Sequence, residues 1–315
     1  MYLGVDLGGT NIAAGLVDDN FNIVYKDSIP TGAQREDKEI IYDMAMLCRS
    51  ILENTGTQTD DVKWIGIGLP GTPDVKEGKS IYTNNINLRN TPVRDLMQKV
   101  IPLPVYIEND ANCAALGEAF AGATKEADNS LMITIGTGIG GGIIINKKIY
   151  SGFNYAGGEL GHIVILLDGE QCTCGRKGCW EAYGSASALI KQTEKAAKEN
   201  PESLMSKMIE TQGKVSGKTA FEAMREGCPA GAAVVEQYIK YFAAGIVNVI
   251  NIFQPEILVI GGGVSKEGDY LLSPLKKIVE REVYSRDVEQ TQIRIAQLGN
   301  DAGIIGASVL GLQVD

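Results

Sequence analysis

Positive charge, histidine and long apolar runs are what this 315-residue sequence is short of. Lys and Arg number 29 against 39 Asp and Glu, a formal charge of −10 with a pI near 4.8. So acidic a chain is a poor partner for nucleic acid or an anionic membrane, and neither is expected. The longest uncharged stretch, Asn129 to Asn146, carries five glycines, two threonines and a serine. It is too polar and too glycine-broken to face lipid as a helix. The opening Met1-Tyr2-Leu3-Gly4-Val5-Asp6 has no basic segment and sets an acid where a leader's apolar core would run. A cytoplasmic location is the expectation. Six cysteines are too few for a secreted disulfide scaffold of this length. What the chain has in excess is glycine, 38 of 315 or roughly 12% against a usual ~7%. Without a Gly-X-Y period, that excess points to tight turns or to backbone that approaches a ligand.

At roughly 150 residues per domain the length predicts two domains. Strand patterns at Tyr2–Asp6, Ile12–Val17, Phe21–Tyr25, Lys63–Gly68, Val105–Glu108, Ser130–Gly136, Glu256–Ile260 and Gln292–Gln297 alternate with helical ones. The helical patterns run over Glu36–Asn54, Ala111–Ala121, Ala230–Ile252 and from Asp301. Such alternation predicts an α/β protein. Leu3–Val17 and Met132–Ile145 each set a Gly/Thr turn between two apolar strands, as a pseudo-duplicated protein would. Two such hairpins could grip one ligand at a cleft between domains.

Gly136-Thr137-Gly138-Ile139-Gly140-Gly141 matches the dinucleotide fingerprint, but a β-branched run follows it where a helix is required. Gly213-Lys214-Val215-Ser216-Gly217-Lys218-Thr219 fails as a P-loop, with three residues between its glycines rather than four. What remains is a phosphate site built from hairpin turns, whose exposed backbone N–H groups bind anions. Thr10 and Thr137 add hydroxyls, and Asp6 at the end of the first strand is placed to hold a hydrated Mg²⁺.

His162 is the only histidine. With Cys172, Cys174 and Cys179 it forms a Cys₃His set suited to a closed, structural Zn²⁺ site. Cys48, Cys113 and Cys228 sit in helical patterns and read as buried small hydrophobes. Glu159 and Glu181 flank the clamp, which would fix both carboxylates as a polyol site needs. The phosphate hairpins lie elsewhere in the chain and are expected to owe nothing to the clamp.

Several motifs now coincide. Asp6-Leu7-Gly8-Gly9-Thr10, Gly68-Leu69-Pro70-Gly71, Glu108-Asn109-Asp110-Ala111-Asn112, Gly136–Gly142 and Glu159-Leu160-Gly161-His162 are followed by Cys172-x-Cys174-x₄-Cys179-x-Glu181. Together they resemble the ROK family of sugar kinases and repressors, from Leu3 to Leu298–Gly303. The resemblance implies a two-domain actin/hexokinase-like (ribonuclease-H-like) α/β fold with an interdomain cleft. The expected small domain is 1–118 plus 300–315, and the expected large domain, 119–299, carries the zinc loop. Asp110 would be the catalytic base, with Gly68, Asn87, Asn109, Glu159, His162 and Glu181 holding the sugar. Gly8, Gly9, Thr10, Asn11, Thr137, Gly138 and Gly140 would cradle the ATP phosphates, and Gly261, Gly262 and Gly263 would lie against the adenosine. Many relatives carry a basic residue where this chain has Asn11.

Asp110 opens a helix, where the dipole favours the ionised form, and both N-cap and base are expected of it. The implied activity is ATP-dependent phosphorylation of a hexose, glucose first, in a homodimer. An N-acetylhexosamine or fructose kinase is the alternative within the family. A repressor would carry a helix-turn-helix before Asp6, where only five residues stand. A non-catalytic actin-like assembly protein has no use for Glu159, Glu181 and the clamp.

Overall fold

The computed structural model describes residues 1–83 and 85–314. The chain begins β1 (Tyr2–Leu7), β2 (Asn11–Val17), β3 (Ile23–Pro30), α1 (Asp37–Thr55), β4 (Ile65–Leu69), β5 (Thr72–Asp74), β6 (Lys79–Tyr82) and β7 (Arg89–Thr91). It continues α2 (Val93–Gln98), β8 (Val105–Asn109), α3 (Asp110–Ala121), β9 (Ser130–Ile135), β10 (Ile139–Ile145) and β11 (Lys148–Ile149). Then come α4 (Glu181–Gly184), α5 (Ala186–Glu199), α6 (Leu204–Gln212), α7 (Thr219–Arg225) and α8 (Pro229–Phe253). The last elements are β12 (Ile257–Gly262), α9 (Asp269–Glu282), β13 (Gln292–Ile295) and α10 (Ala302–Ser308). Two compact units result: Met1–Met132 with Gly142–Gly158 and Ala296–Asp315, and Ile133–Gly141 with Glu159–Ile295. Among the described residues no helix is long and apolar enough to cross a membrane.

In the first unit a five-stranded sheet runs β3-β2-β1-β4-β8, and a small sheet runs β5-β6-β7. β1, β4 and β8 are parallel, and β2 and β3 complete the sheet antiparallel. β1 and β4 are buried almost throughout, as strands covered on both faces must be. On α1 the apolar stripe Ile40, Ile41, Met44, Leu47, Cys48, Ile51 and Leu52 turns inward. Gly56, left-handed at φ 67°, ends that helix by returning its N–H to the last carbonyls. All seven residues of α10 are buried. It reaches the sheet because Gly4 and Gly66 have no Cβ to strike the carbonyls of Ile304 and Ala307.

Two boundaries differ from the pattern of the sequence, each for a local reason. β3 starts at Ile23 rather than Phe21, because Asp18 Oδ1 accepts from the N–H groups of Asn20 (2.9 Å) and Asn22 (2.8 Å) and holds a longer turn. β13 stops at Ile295 because Gln297 N and Leu298 N donate to the buried carboxylate of Glu118, at 2.9 and 2.8 Å, not to a strand.

In the second five-stranded sheet, ordered β11-β10-β9-β12-β13, β12 and β13 pair in parallel. The second unit is built on α8, which starts with Pro229 in its first turn and buries Tyr238, Phe242, Ile246 and Ile250. Trp180 stacks on Phe242 at 5.4 Å, over Gly245, which leaves no room for a Cβ. Cys48, Cys113 and Cys228 are buried as expected. Cys228, however, lies outside the helix as the extended residue before α8.

Candidate active site

Asp6, Gly68 and Asn109 stand at the carboxyl ends of the adjacent parallel strands β1, β4 and β8. That edge is where open α/β sheets bind ligands. Burial, and then the neighbouring charge of Asp110, push the Asp6 carboxyl up from an ordinary 3.8 to about 6. Gly68 lets α3 come close, since a Cβ there would lie 3.3 Å from Cys113 Sγ and 3.6 Å from Asp110 Cα.

The helix cap is Asn109, not Asp110. Asn109 has the extended backbone a cap needs, and its Oδ1 accepts from Ala111 N at 2.9 Å and Asn112 N at 3.2 Å. Its Nδ2 donates to the Gly71 carbonyl at 2.9 Å. Asp110 is the first helical residue, with Oδ1 2.8 Å from Ala111 N. Behind it lies Glu108, only 5% exposed, whose Oε1 accepts from Asn109 N (2.8 Å) and Asn112 Nδ2 (3.0 Å). Burial raises the Glu108 carboxyl above its usual range. Glu108 and Asn112 fall inside a motif quoted from the sequence but were given no role there, although they stand four residues apart across a strand–helix junction.

The first glycine turn closes with Gly8 N donating to Asn11 O at 2.9 Å, and Thr31 braces it through Gly8 O and Thr10 O. Gly9, Thr10 and Asn11 are left exposed. Asn87 is exposed too, tied by its backbone N–H to Ala33 O and by Nδ2 to Arg35 O. In the second unit Gly136 N donates to Gly138 O at 3.0 Å and leaves Thr137 exposed, with Gly140 half-buried on β10. Gly262, at φ 89°, packs its α-carbon against the Ile135 backbone, and Gly263 N donates to Ile135 O at 3.0 Å. The Gly261–Gly263 turn therefore borders the hairpin of Thr137 and Gly138.

The histidine–cysteine set comes together in the second unit. One nitrogen of His162 and the sulfurs of Cys172, Cys174 and Cys179 all lie within 4.8 Å of one another. Cys172 Sγ is 3.6 Å from His162 Nδ1, and Cys174 Sγ is 3.6 Å from Cys179 Sγ. Ligands about 2.3 Å from a tetrahedral zinc would sit about 3.8 Å apart, so the spacing fits that ion. The loop is shaped by Gly175 and Gly178, both at positive φ (89° and 79°), and by the Cys172 N–H donating to Arg176 O at 2.8 Å. The Arg176 backbone N–H lowers the Cys174 thiol below its ordinary value, while burial pushes Cys179 up to about 12. A bound cation would favour the thiolate at both.

Glu159 is exposed at the start of a single 3₁₀ turn, Leu160–His162, in which His162 N donates to Glu159 O at 3.0 Å. Glu181 opens α4, seated on α8 through Trp180 and through the Tyr238 hydroxyl, which donates to Gly184 O at 2.8 Å. Glu181 Oε2 accepts from Ile139 N at 3.0 Å, and Oε1 accepts from the Thr173 hydroxyl at 3.2 Å. A Cβ on Gly138 would run into that carboxylate, and one on Gly161 into the Ile139 carbonyl. The expectation that the phosphate hairpins owe nothing to the clamp fails for the second hairpin, because a carboxylate of the clamp holds its turn.

The chain is similar along its whole length to sugar kinases. The glucokinase of Halalkalibacterium halodurans is 38% identical over 310 residues, covering 98% of this chain and 94% of that protein. A ROK family glucokinase from Streptomyces griseus, solved with glucose and AMPPNP, is 34% identical at a TM-score of 0.82, covering 99% of both chains. The ROK hexokinase from Thermus thermophilus is 30% identical at a TM-score of 0.81, covering 98% of this chain and 97% of that one. The architecture is thus the mixed α/β, hexokinase-like one that the motifs implied. The ROK family model matches residues 2–314, and the chain belongs to the ROK family.

Proposed function

We propose that this protein is an ATP-dependent glucokinase, transferring the γ-phosphoryl group of ATP to a glucose hydroxyl. The observation that carries the chemistry is Asp110 beside Asp6 at the carboxyl ends of three parallel strands. The sugar oxygen forms the new O–P bond while the bond from the γ-phosphorus to its bridging oxygen breaks. ADP departs, and Asp110 receives the hydroxyl proton. The transition state is loose, so positioning and charge neutralisation dominate and the base need not be strong.

Asp6, a half-buried carboxylate at the end of β1, would hold the nucleotide's hydrated Mg²⁺, whose charge would offset that of the phosphates. The turns of Gly8, Gly9, Thr10 and Asn11 and of Thr137, Gly138 and Gly140 take the phosphates, and Gly261–Gly263 the adenosine. Gly68, Asn87, Asn109, Glu159, His162 and Glu181 hold the sugar. Asn109 does so largely through backbone it fixes, since its side-chain oxygen is spent on the cap. His162, Cys172, Cys174 and Cys179 hold a structural Zn²⁺. His162 Nδ1 is the ring nitrogen that faces Cys172 Sγ, so a zinc held there would leave Nε2 to donate to a sugar hydroxyl. The protein acts in the cytoplasm as a homodimer, without nucleic acid.

A coupled assay of ADP release across a hexose panel is the direct test. Glucose should give the highest kcat/KM, ahead of fructose, mannose and the N-acetylhexosamines. A higher value for any of these would replace glucose as the substrate, and no ADP release with any hexose would end the kinase assignment.

A further inference from the structure

We propose that Thr173 is a positioning residue for sugar recognition. Its hydroxyl and the Ile139 N–H hold the two oxygens of Glu181, making that carboxylate the tie between the zinc loop and the second glycine hairpin. This rests on the role given above to Glu181.

The geometry begins with the carboxylate. Oε2 accepts from Ile139 N at 3.0 Å, from the hairpin whose Gly138 has no room for a side chain against Glu181. Oε1 has two neighbours, Thr173 Oγ1 at 3.2 Å and Cys172 Sγ at 3.8 Å. The Thr173 hydroxyl is the nearer of the two and a far better donor than a thiol, so it is the group that holds Oε1. An ionised carboxylate oxygen accepts about two hydrogen bonds. Thr173 fills one site and fixes the side-chain torsion, and the second site is free for a sugar hydroxyl. Thr173 stands between two metal ligands, so the clamp sets the position of its hydroxyl. Among the described residues the Glu181 carboxylate is otherwise held from the hairpin side, and a carboxylate pinned at one oxygen can swing about that point.

A group that touches the sugar alike in the ground and transition states changes KM and leaves kcat alone. Thr173 is an exposed residue, so loss of its hydroxyl should cost less than a buried hydrogen bond to a charge, about 5- to 10-fold in affinity. The nucleotide should be spared, because the bond from Ile139 N to Glu181 stays.

The test compares wild type, Thr173→Val and Thr173→Ser as zinc-loaded full-length proteins. Zinc content is read by elemental analysis, KM and kcat with the best hexose of the panel, and AMPPNP affinity by calorimetry. Thr173→Val should keep one zinc per chain, raise the sugar KM about 5- to 10-fold, and hold kcat and AMPPNP affinity within twofold. Thr173→Ser should restore the sugar KM. A wild-type KM in Thr173→Val overturns the proposal. So does equal impairment in Thr173→Ser, which would assign the effect to the methyl group, and so does loss of zinc in step with loss of binding, which would assign it to folding of the clamp. A wild type that phosphorylates no hexose would fail the kinase assignment and the role of Thr173 together. An active wild type with an indifferent Thr173 would fail Thr173 alone.

Discussion

Replacing Asp6 by Asn should stabilise the metal-free protein while destroying its activity, and the gain should depend on pH. Burial, then the charge of Asp110, raise the Asp6 carboxyl from an ordinary 3.8 to about 6. The folded chain therefore binds a proton at Asp6 more tightly than the unfolded chain does. Stability falls as pH rises wherever the folded state holds the extra proton, here between about pH 3.8 and 6. The difference is a little over two pH units at 1.36 kcal/mol each, so ionised Asp6 costs the fold about 3 kcal/mol above pH 7. About half of that is already present at pH 5, leaving ~1.4 kcal/mol to develop between pH 5 and 7.5. Asn carries no charge and escapes the whole term. The advantage of Asp6→Asn over wild type should therefore grow by ~1.4 kcal/mol between pH 5 and 7.5, read in magnesium-free buffer by chemical denaturation. Titrating groups not coupled to Asp6 are common to both proteins and cancel in the difference. Asp110→Asn should shrink the effect, since the Asp110 charge is the second cause. An advantage that stays constant with pH, or an Asp6→Asn protein no more stable than wild type at pH 7.5, would refute the reasoning.

Asp110→Asn should cut kcat by at least 10²-fold while glucose still binds in calorimetry, and a variant keeping more than a tenth of wild-type turnover would remove Asp110 as the base. Protein never exposed to chelator should contain about one Zn²⁺ per chain on His162, Cys172, Cys174 and Cys179, and elemental analysis that finds none sinks the clamp. Cys174→Ser should weaken glucose by ~10²-fold through drift of Glu181 and His162, and should weaken AMPPNP by a smaller but measurable factor because Glu181 also holds Ile139 N. A nucleotide affinity untouched by Cys174→Ser would show that this tie carries no load.

Most of the first sheet and the histidine–cysteine cluster were legible in the sequence, because both have strong local signatures. β1, β2, β4 and β8 are short apolar runs bounded by Gly, Asn or Asp, and His162, Cys172, Cys174 and Cys179 are scarce residue types packed into a short span. The small sheet β5-β6-β7 had no such signal. Its strands are three or four residues long and hold Pro73, Asp74, Lys79 and Arg89. The helices α5, α6 and α9 were not read from the sequence, although α9 carries Leu271, Leu275 and Val279 at helical spacing, because Pro274 interrupts that stripe and Lys and Glu fill the segments around it. At the site, residue types were legible and their partners were not. Asn109 and Asp110 are both good capping residues side by side, and only the backbone at Asn109 decides which of them caps. Thr173 was invisible, since a hydroxyl among cysteines means nothing until Glu181, eight residues on, is folded back over it.

The glycine excess carries the same lesson further, because its sequence reading covered only part of its cause. Tight turns and close backbone contacts account for Gly8, Gly138 and Gly262, as expected of backbone that must bend. A second set serves a different end. Gly4 and Gly66 on adjacent strands, Gly117 on α3 and Gly306 on α10 each meet a backbone carbonyl of another element where a Cβ would collide. These four draw α10 down until its own backbone, not its side chains, lies against the sheet and against α3. Gly303, in the first turn of α10, then rests on the Asp6 carboxylate, where a Cβ would lie 2.7 Å from Oδ2. The helix that these glycines admit is thus one of the walls that bury Asp6, and burial is the leading cause of its raised pKa. Glycines that serve packing therefore help to raise the pKa of the carboxylate proposed for the metal. An alanine at Gly66 should be felt at Asp6 as well as in the stability of the sheet.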